Sequence, residues 1–286
     1  MITTVRTQSR PLFVNRIMSS FSLIALIVLL LIMLFPLAMV TINSFKTENE
    51  YYDNGPFALP QTLNTEVLAS TWESTAYTTK LVNSLVISFS VALIAIALSL
   101  LNAFALGIGK VPGKPFILLF FLLAITLPPE SLIYPQYYFI KSIGLYDTQL
   151  SVILITSVFH SAYGTYLMST VLSAFSRELI EAALIDGCTR LQLLFRIVIP
   201  LNRPALSVLF VFFFIWTWND FFLPLIFLIS NSKQTVPVAM ALARGERNMV
   251  VTTQSAAALL GIVPCIIFFF LFQRTMARGI TAGSLK

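Results

Sequence analysis

Apolar residues run through this chain in long blocks. They show neither the one-face pattern of a soluble helix nor the alternation of a half-buried strand. Six blocks are free, or nearly free, of charge: Phe21–Ile42, Leu81–Ile108, Pro115–Ile140, Leu150–Phe175, Ala205–Ile229 and Thr252–Gln273. A helix rises about 1.5 Å per residue, so about 20 residues cross a ~30 Å hydrocarbon core, and every block is long enough. With flanking turns, helices are expected over about 17–42, 81–109, 115–140, 150–175, 205–229 and 252–274. No ten-residue alternating pattern points to a barrel, and an open sheet would leave backbone donors bare in lipid. The pattern therefore predicts an all-α integral membrane protein with six transmembrane helices, one domain over 1–286 with a cytoplasmic tail at 1–16.

The polar intervals orient the bundle. With the N-terminus inside, the inner segments hold twelve basic residues: Arg6, Arg10, Arg16, Lys110, Lys114, Arg177, Arg190, Arg196, Arg203, Arg274, Arg278 and Lys286. The outer segments hold six: Lys46, Lys80, Lys141, Lys233, Arg244 and Arg247. The excess marks the cytoplasmic side and places both termini there. The first outer loop, Asn43–Lys80, is acidic and long enough to fold in part. Pro112-Gly113 marks a tight inner turn. Pro36, Pro128, Pro129, Pro224 and Pro264 fall within expected helices, where each frees a carbonyl and favours a kink.

Composition sharpens this picture in two ways. Apolar residues make up 57% of the 286 and charged residues 10%, against roughly 45–50% and 25% in soluble domains. The net charge of +6 is spread over short loops and tails, so it reads as a topology signal and not as a nucleic-acid face. The two cysteines, Cys188 and Cys265, fall at different depths and are expected to stay reduced. The basic N-terminus before an apolar run resembles a secretory leader. The run is 22 residues long and lacks a small-residue cleavage site, so a retained anchor is expected.

The longest inner segment, 176–203, carries the most specific signal. Ser176 suits a helix N-cap and Glu178 the first turn. Ile180, Ala183 and Leu184 share a face, and Gly187 can turn left-handed and end the helix. A second short helix with Leu191, Leu194 and Phe195 is expected to stop at Pro200. Such a helix–turn–helix with an apolar face is suited to dock in a groove of a soluble partner. Glu181-Ala182-Ala183, then Gly187, then Ile197-Val198-Ile199-Pro200 resembles the signature of permease subunits of ATP-binding-cassette importers, Ile199 replacing a usual leucine. Asn83-Ser84, Trp218-Asn219-Asp220, Pro224-Leu225, Thr235-Val236-Pro237-Val238 and the tail Arg278–Gly283 resemble the smaller permease of maltose-type and multiple-sugar importers.

That resemblance implies the type I importer permease fold, with a coupling helix on the cytoplasmic side. It implies a second permease, usually unlike the first, an ATPase dimer beneath the pair and an extracytoplasmic sugar-binding protein. Glu181, Ala182, Ala183, Asp186, Gly187, Ile197 and Pro200 would belong to the ATPase-coupling element. The chain itself would bind no cofactor, ATP and magnesium lying on the ATPase. It would carry sugar by alternating access across the bacterial cytoplasmic membrane. Another small solute, or an ion-coupled transporter, is the alternative reading.

No catalytic constellation emerges. Gly109–Pro115 falls one residue short of a phosphate loop and has proline where serine or threonine should stand. His160 is the only histidine; it reads either as a pathway group or as a bundle histidine bonded to a neighbouring helix. Glu130 and Asp220 interrupt apolar blocks at similar distances from the inner side, and a mid-membrane charge needs a cavity or partner. Trp216, Asn219 and Asp220 share a helix face. Two readings stand for this patch with Glu130: a sugar-facing pathway surface, or a contact with the second permease.

Overall fold

The computed structural model describes residues 12–109, 111–242 and 250–284, without the side chains of 12–19 and 275–284. Arg6, Arg10, Lys110, Arg244, Arg247 and Lys286 lie outside the described residues, as do the side chains of Arg16 and of the tail Arg278–Gly283.

Every regular element among the described residues is helical. Besides short 3-10 turns at Pro129–Leu132 and Asn231–Lys233, they are in chain order α1 (Leu12–Ser44), α2 (Glu48–Asn54), α3 (Glu66–Ser74), α4 (Tyr77–Gly107), α5 (Lys114–Thr126), α6 (Ile133–Ser142) and α7 (Gln149–Ser173). Then follow α8 (Arg177–Ile185), α9 (Arg190–Leu201), α10 (Arg203–Asn219), α11 (Phe222–Phe227), α12 (Val236–Leu242) and α13 (Val251–Ser284). Four helices are long and apolar enough to cross a membrane: α1, α4, α7 and α13. The number rises to six if two bent pairs, α5 with α6 and α9 with α10, each count as one span.

The third and fifth expected spans are therefore not the straight helices that their hydropathy suggests. Between α5 and α6 the chain bends by 95°. A residue before proline is pushed out of the α region. Leu127 before Pro128, and Pro128 before Pro129, both respond with extended ψ values of 126° and 125°. The fifth span ends at Asn219, and Asp220 is extended with ψ 124°. Pro224 lies four residues beyond, where its ring would clash with the Asp220 carbonyl in a continuous helix. The expected stop at Pro200 also fails. Pro200 sits inside α9, after a wider π-type turn at Leu194–Val198 that relieves the same clash. The chain instead bends by 78° at Asn202, whose buried amide donates to the Val198 carbonyl at 2.8 Å.

The core is built on α4 and α7, with α10 packed against α4. Contacts between α4 and α7 keep the same order along both helices, so the two run parallel. Gln149 Nε2 donates to Asn83 Oδ1 at 2.7 Å, Ser99 Oγ to the Ser161 carbonyl at 3.3 Å, and Asn102 Nδ2 to Thr165 Oγ1 at 3.4 Å. The helices touch closely because Gly164 has no side chain: a Cβ there would lie 2.1 Å from Ser99 Oγ. Phe214 and Phe268 stack at 3.8 Å and join α10 to α13. By contrast, the membrane-length window of α1 has no buried residue.

Candidate functional site

Three regions of the structure collect the residues singled out by the sequence. The first is the segment 176–203, at the end of the bundle where α7 finishes. Ser176 Oγ accepts from Leu179 N at 3.4 Å and caps α8. Gly187 has φ +81°, and the amides of Gly187 and Cys188 bond to the carbonyls of Leu184 and Ala183. That pair of bonds around a left-handed glycine is a Schellman turn. Thr189 and Gln192 then form a reciprocal capping box that starts α9. The Thr-x-x-Gln spacing is the sequence signal for this start.

The apolar face of this element differs from the expected one. Ile180 and Ala183 turn inward on the core, with Leu194 buried behind them. Leu184 instead stands half exposed, as Leu179 does, Leu191 and Phe195 are more exposed still, and Ile185 is 85% exposed. Ala182, Glu181, Asp186 and Gly187 are exposed around this patch, while Ile197 and Pro200 are partly buried. The segment thus exposes apolar side chains among charges of both signs, Glu178, Glu181 and Asp186 with Arg177, Arg190 and Arg196, and is held to the bundle by its other side.

The second region is the break in the fifth span. Asp220 Oδ1 accepts from Phe222 N at 3.1 Å and from Leu223 N at 3.4 Å, so it caps α11. Asn219 turns its amide back on its own helix, donating to the Ile215 carbonyl at 2.8 Å. Trp216 is half exposed and packs edge-on against His160 and Tyr163 of α7. His160 stacks on Phe213 and faces Thr217 Oγ1 at 3.3 Å, the bundle contact among its two readings. Glu130, in the turn between α5 and α6, comes within electrostatic reach of Asp220.

The third region, at the opposite end from 176–203, holds side chains that sequence reading missed. Lys80, expected in a loop, lies in the first turn of α4, fully buried, and donates to Asn231 Oδ1 at 2.6 Å and to the Asn231 carbonyl. Asn83 donates to the Ser232 and Gln234 carbonyls at 2.8 and 2.9 Å, and Val236 N donates to Ser84 Oγ at 2.8 Å. The Asn83-Ser84 and Thr235–Val238 motifs are therefore two halves of one knot. Asp147 joins it from the α6–α7 loop. It accepts from Ser230 N at 3.0 Å, Ser230 Oγ at 2.5 Å and Lys233 Nζ at 2.9 Å. The Ser230 hydroxyl and amide, then the Lys233 ammonium, hold its carboxyl well below the usual range. Nothing in the local sequence pairs Asp147 with residues 83 and 86 positions away.

Several helices are thus long and apolar enough to span a membrane, two bent pairs stand among them, and exposed apolar side chains gather in the segment at one end. Residues 110–282 match the model of the binding-protein-dependent transport system inner membrane component family. The chain is 30% identical over 259 residues to the inner membrane ABC transporter permease protein YcjP of Escherichia coli, covering 90% of this chain and 92% of that one. It is 28% identical over 265 residues to the trehalose/maltose transport system permease protein MalG of Thermococcus litoralis, covering 92% and 95%. Its fold is similar to a chain of a bacterial ABC transporter that imports the acidic polysaccharide alginate, with a TM-score of 0.81 at 19% identity over 96% and 99% of the two chains. The chain belongs to the binding-protein-dependent transport system inner membrane component family.

Proposed function

We propose that this chain is one permease of an ATP-driven importer and carries a sugar or oligosaccharide by alternating access. The names of its relatives support the substrate class, MalG being a trehalose/maltose permease. The observation that carries the mechanism is the 176–203 element. Leu179, Leu184, Ile185, Leu191 and Phe195 present an apolar surface fixed to the bundle through Ile180, Ala183 and Leu194. A soluble ATPase seated there would push on the spans directly, because α9 continues through one 78° bend into α10. Glu181 and Asp186 would make polar contacts at the rim. ATP and magnesium would be held by that ATPase, this chain contributing position and no chemistry.

On this reading 176–203 and both termini face the cytoplasm, and the Lys80–Asp147 knot faces outward, towards a sugar-binding protein. A second permease would cover one face of α1, away from Phe57, and complete the pathway. Asn219, Asp220 and Glu130 lie at the two helix breaks, with Trp216 in the turn before Asn219, which supports a place beside that pathway. Broken helices commonly build transporter sites.

The test is purification of the tagged complex in mild detergent, with every co-purifying chain identified by mass spectrometry. An ATPase and a second permease are expected. Ile185→Ser should then weaken ATPase retention by roughly tenfold or more, since burying an isoleucine is worth about 1.5–3 kcal/mol. Recovery of this chain alone, after crosslinking in intact cells, would overturn the importer reading.

A further inference from the structure

The loop between α2 and α3 exposes large apolar side chains outside any membrane span. Phe57 is 71% exposed, Leu59 73% and Leu63 75%. Scattered single apolar residues need no explanation, but three within seven positions of one loop form a patch. They lie in a stretch of twelve residues, 54–65, without a single charge, although acids crowd both sides at Glu48, Glu50, Asp53, Glu66 and Glu73.

The position of the loop says what covers it. Its base is pinned at the end of α1. Lys46, fully buried, donates to the Gly55 carbonyl at 3.0 Å and to Asn43 Oδ1 at 3.0 Å, and Asn64 N donates to the Phe45 carbonyl at 3.0 Å. Glu50 Oε1 accepts from Gln61 N at 2.5 Å and closes the loop on α2. From this base the chain turns back along α1, and the ring of Phe57 stacks on Phe35 with centroids 6.3 Å apart. Phe35 lies ten residues before Phe45, about 15 Å along the helix axis. It belongs to the uncharged run that continues to Ile42. The tip of the loop is therefore level with lipid, beside a helix surface that is itself bare.

We propose that the segment Gly55–Asn64 is a membrane-seated wedge. Phe57, Leu59 and Leu63 enter the acyl region of the leaflet at the knot end of the bundle, and the carbonyl-capped ammonium of Lys46 holds the wedge at fixed depth. Its partner is the lipid surface, in the manner of interfacial apolar anchors. A loop seated this way ties the outer end of α1, and α2 and α3 behind it, to the bilayer at one depth. The proposal depends on the membrane span of α1 and not on what the protein transports.

The experiment uses the full importer in nanodiscs, with Cys188→Ser and Cys265→Ala as background. Phe57→Cys, Leu59→Cys and Leu63→Cys are each labelled with bimane, and Asp53→Cys serves as the water-facing reference. Phe57 also packs on Phe35, so the Leu59 and Leu63 variants carry the result should the first fail to assemble. The expected result is loss of fluorescence with spin-labelled lipid and none with aqueous iodide, the reverse holding at position 53. Quenching by iodide would place the loop in water. Protection from both quenchers, or protection arising only when a binding protein is added, would mean a protein covers it. Either result overturns the wedge.

Discussion

Gly164 shows how one missing side chain sets the geometry of the bundle. A methyl group there would meet Ser99 Oγ at 2.1 Å, Ser99 Cβ at 2.7 Å and Phe213 Cζ at 3.0 Å. Overfilling such a contact costs about 1–3 kcal/mol. Gly164→Ala should lower the melting temperature of the purified complex, and Ser99→Gly in the same chain should recover part of the loss, because two of the three clashing atoms go. No recovery would mean that the strain lies on Phe213. Asp147 makes a different kind of prediction. Its carboxyl is held below the usual range, so its contribution is complete above the unfolded value of about 3.9 and is lost as the pH falls from there towards the folded value. The melting-temperature gap between the native chain and Asp147→Asn should stay constant from neutral pH to about 5 and close below about 4. A gap that widens in acid would contradict the assignment of the charge to the native clamp.

Helix ends and breaks were legible in unequal measure. Ser176, Gly187 and the tandem Pro128-Pro129 act through their nearest neighbours, so a cap, a left-handed turn and a bend could be read from a few adjacent residues. The break at Asp220 was harder. Its cause is Pro224, four residues on, and its remedy is the carboxylate of Asp220 itself, which hydropathy records only as a charge in an apolar run. The two roles can be separated. Asp220→Asn keeps an oxygen to accept from Phe222 N and Leu223 N, whereas Asp220→Ala leaves both without it, at about 0.5–2 kcal/mol. If the carboxylate acts only as a cap, the Asn variant should transport like the native chain and the Ala variant should be less stable. Equal loss of transport in both, with unchanged stability, would show that the negative charge itself is used. The outward turn of Leu184 was not legible, because the helical period names a face without saying which face the bundle takes. The knot of Lys80, Asn83 and Asp147 lay further out of reach, since it joins residues some 150 and 85 positions apart.

At the scale of the whole molecule, the most consequential feature is an absence of packing. The membrane-spanning stretch of α1 has no buried residue, and the helix meets the rest of the bundle mainly along α13. A helix so apolar is stable in lipid, and the face of α1 turned away from Phe57 and α13 fits a surface that another membrane chain occupies. Single cysteines placed in turn from Phe21 to Phe35 should crosslink to the second permease at positions repeating every three or four residues. A uniform absence of crosslinks would leave α1 as a lipid-facing anchor alone.

The parallel seam of α4 and α7 also bears on how the protein is made. The ribosome delivers α4 first, and α7 follows only after α5 and α6. For that interval the seam's polar groups have no neighbour. Ser99 spends it bonded to the Ala95 carbonyl of its own helix at 2.6 Å, and Ser161 can later do the same with Val158 at 2.7 Å. Asn102 has its one side-chain bond across the seam, to Thr165. Of these three residues, the serines at 99 and 161 can satisfy themselves within their own helices, while asparagine at 102 would stand one amide bond short until α7 arrives.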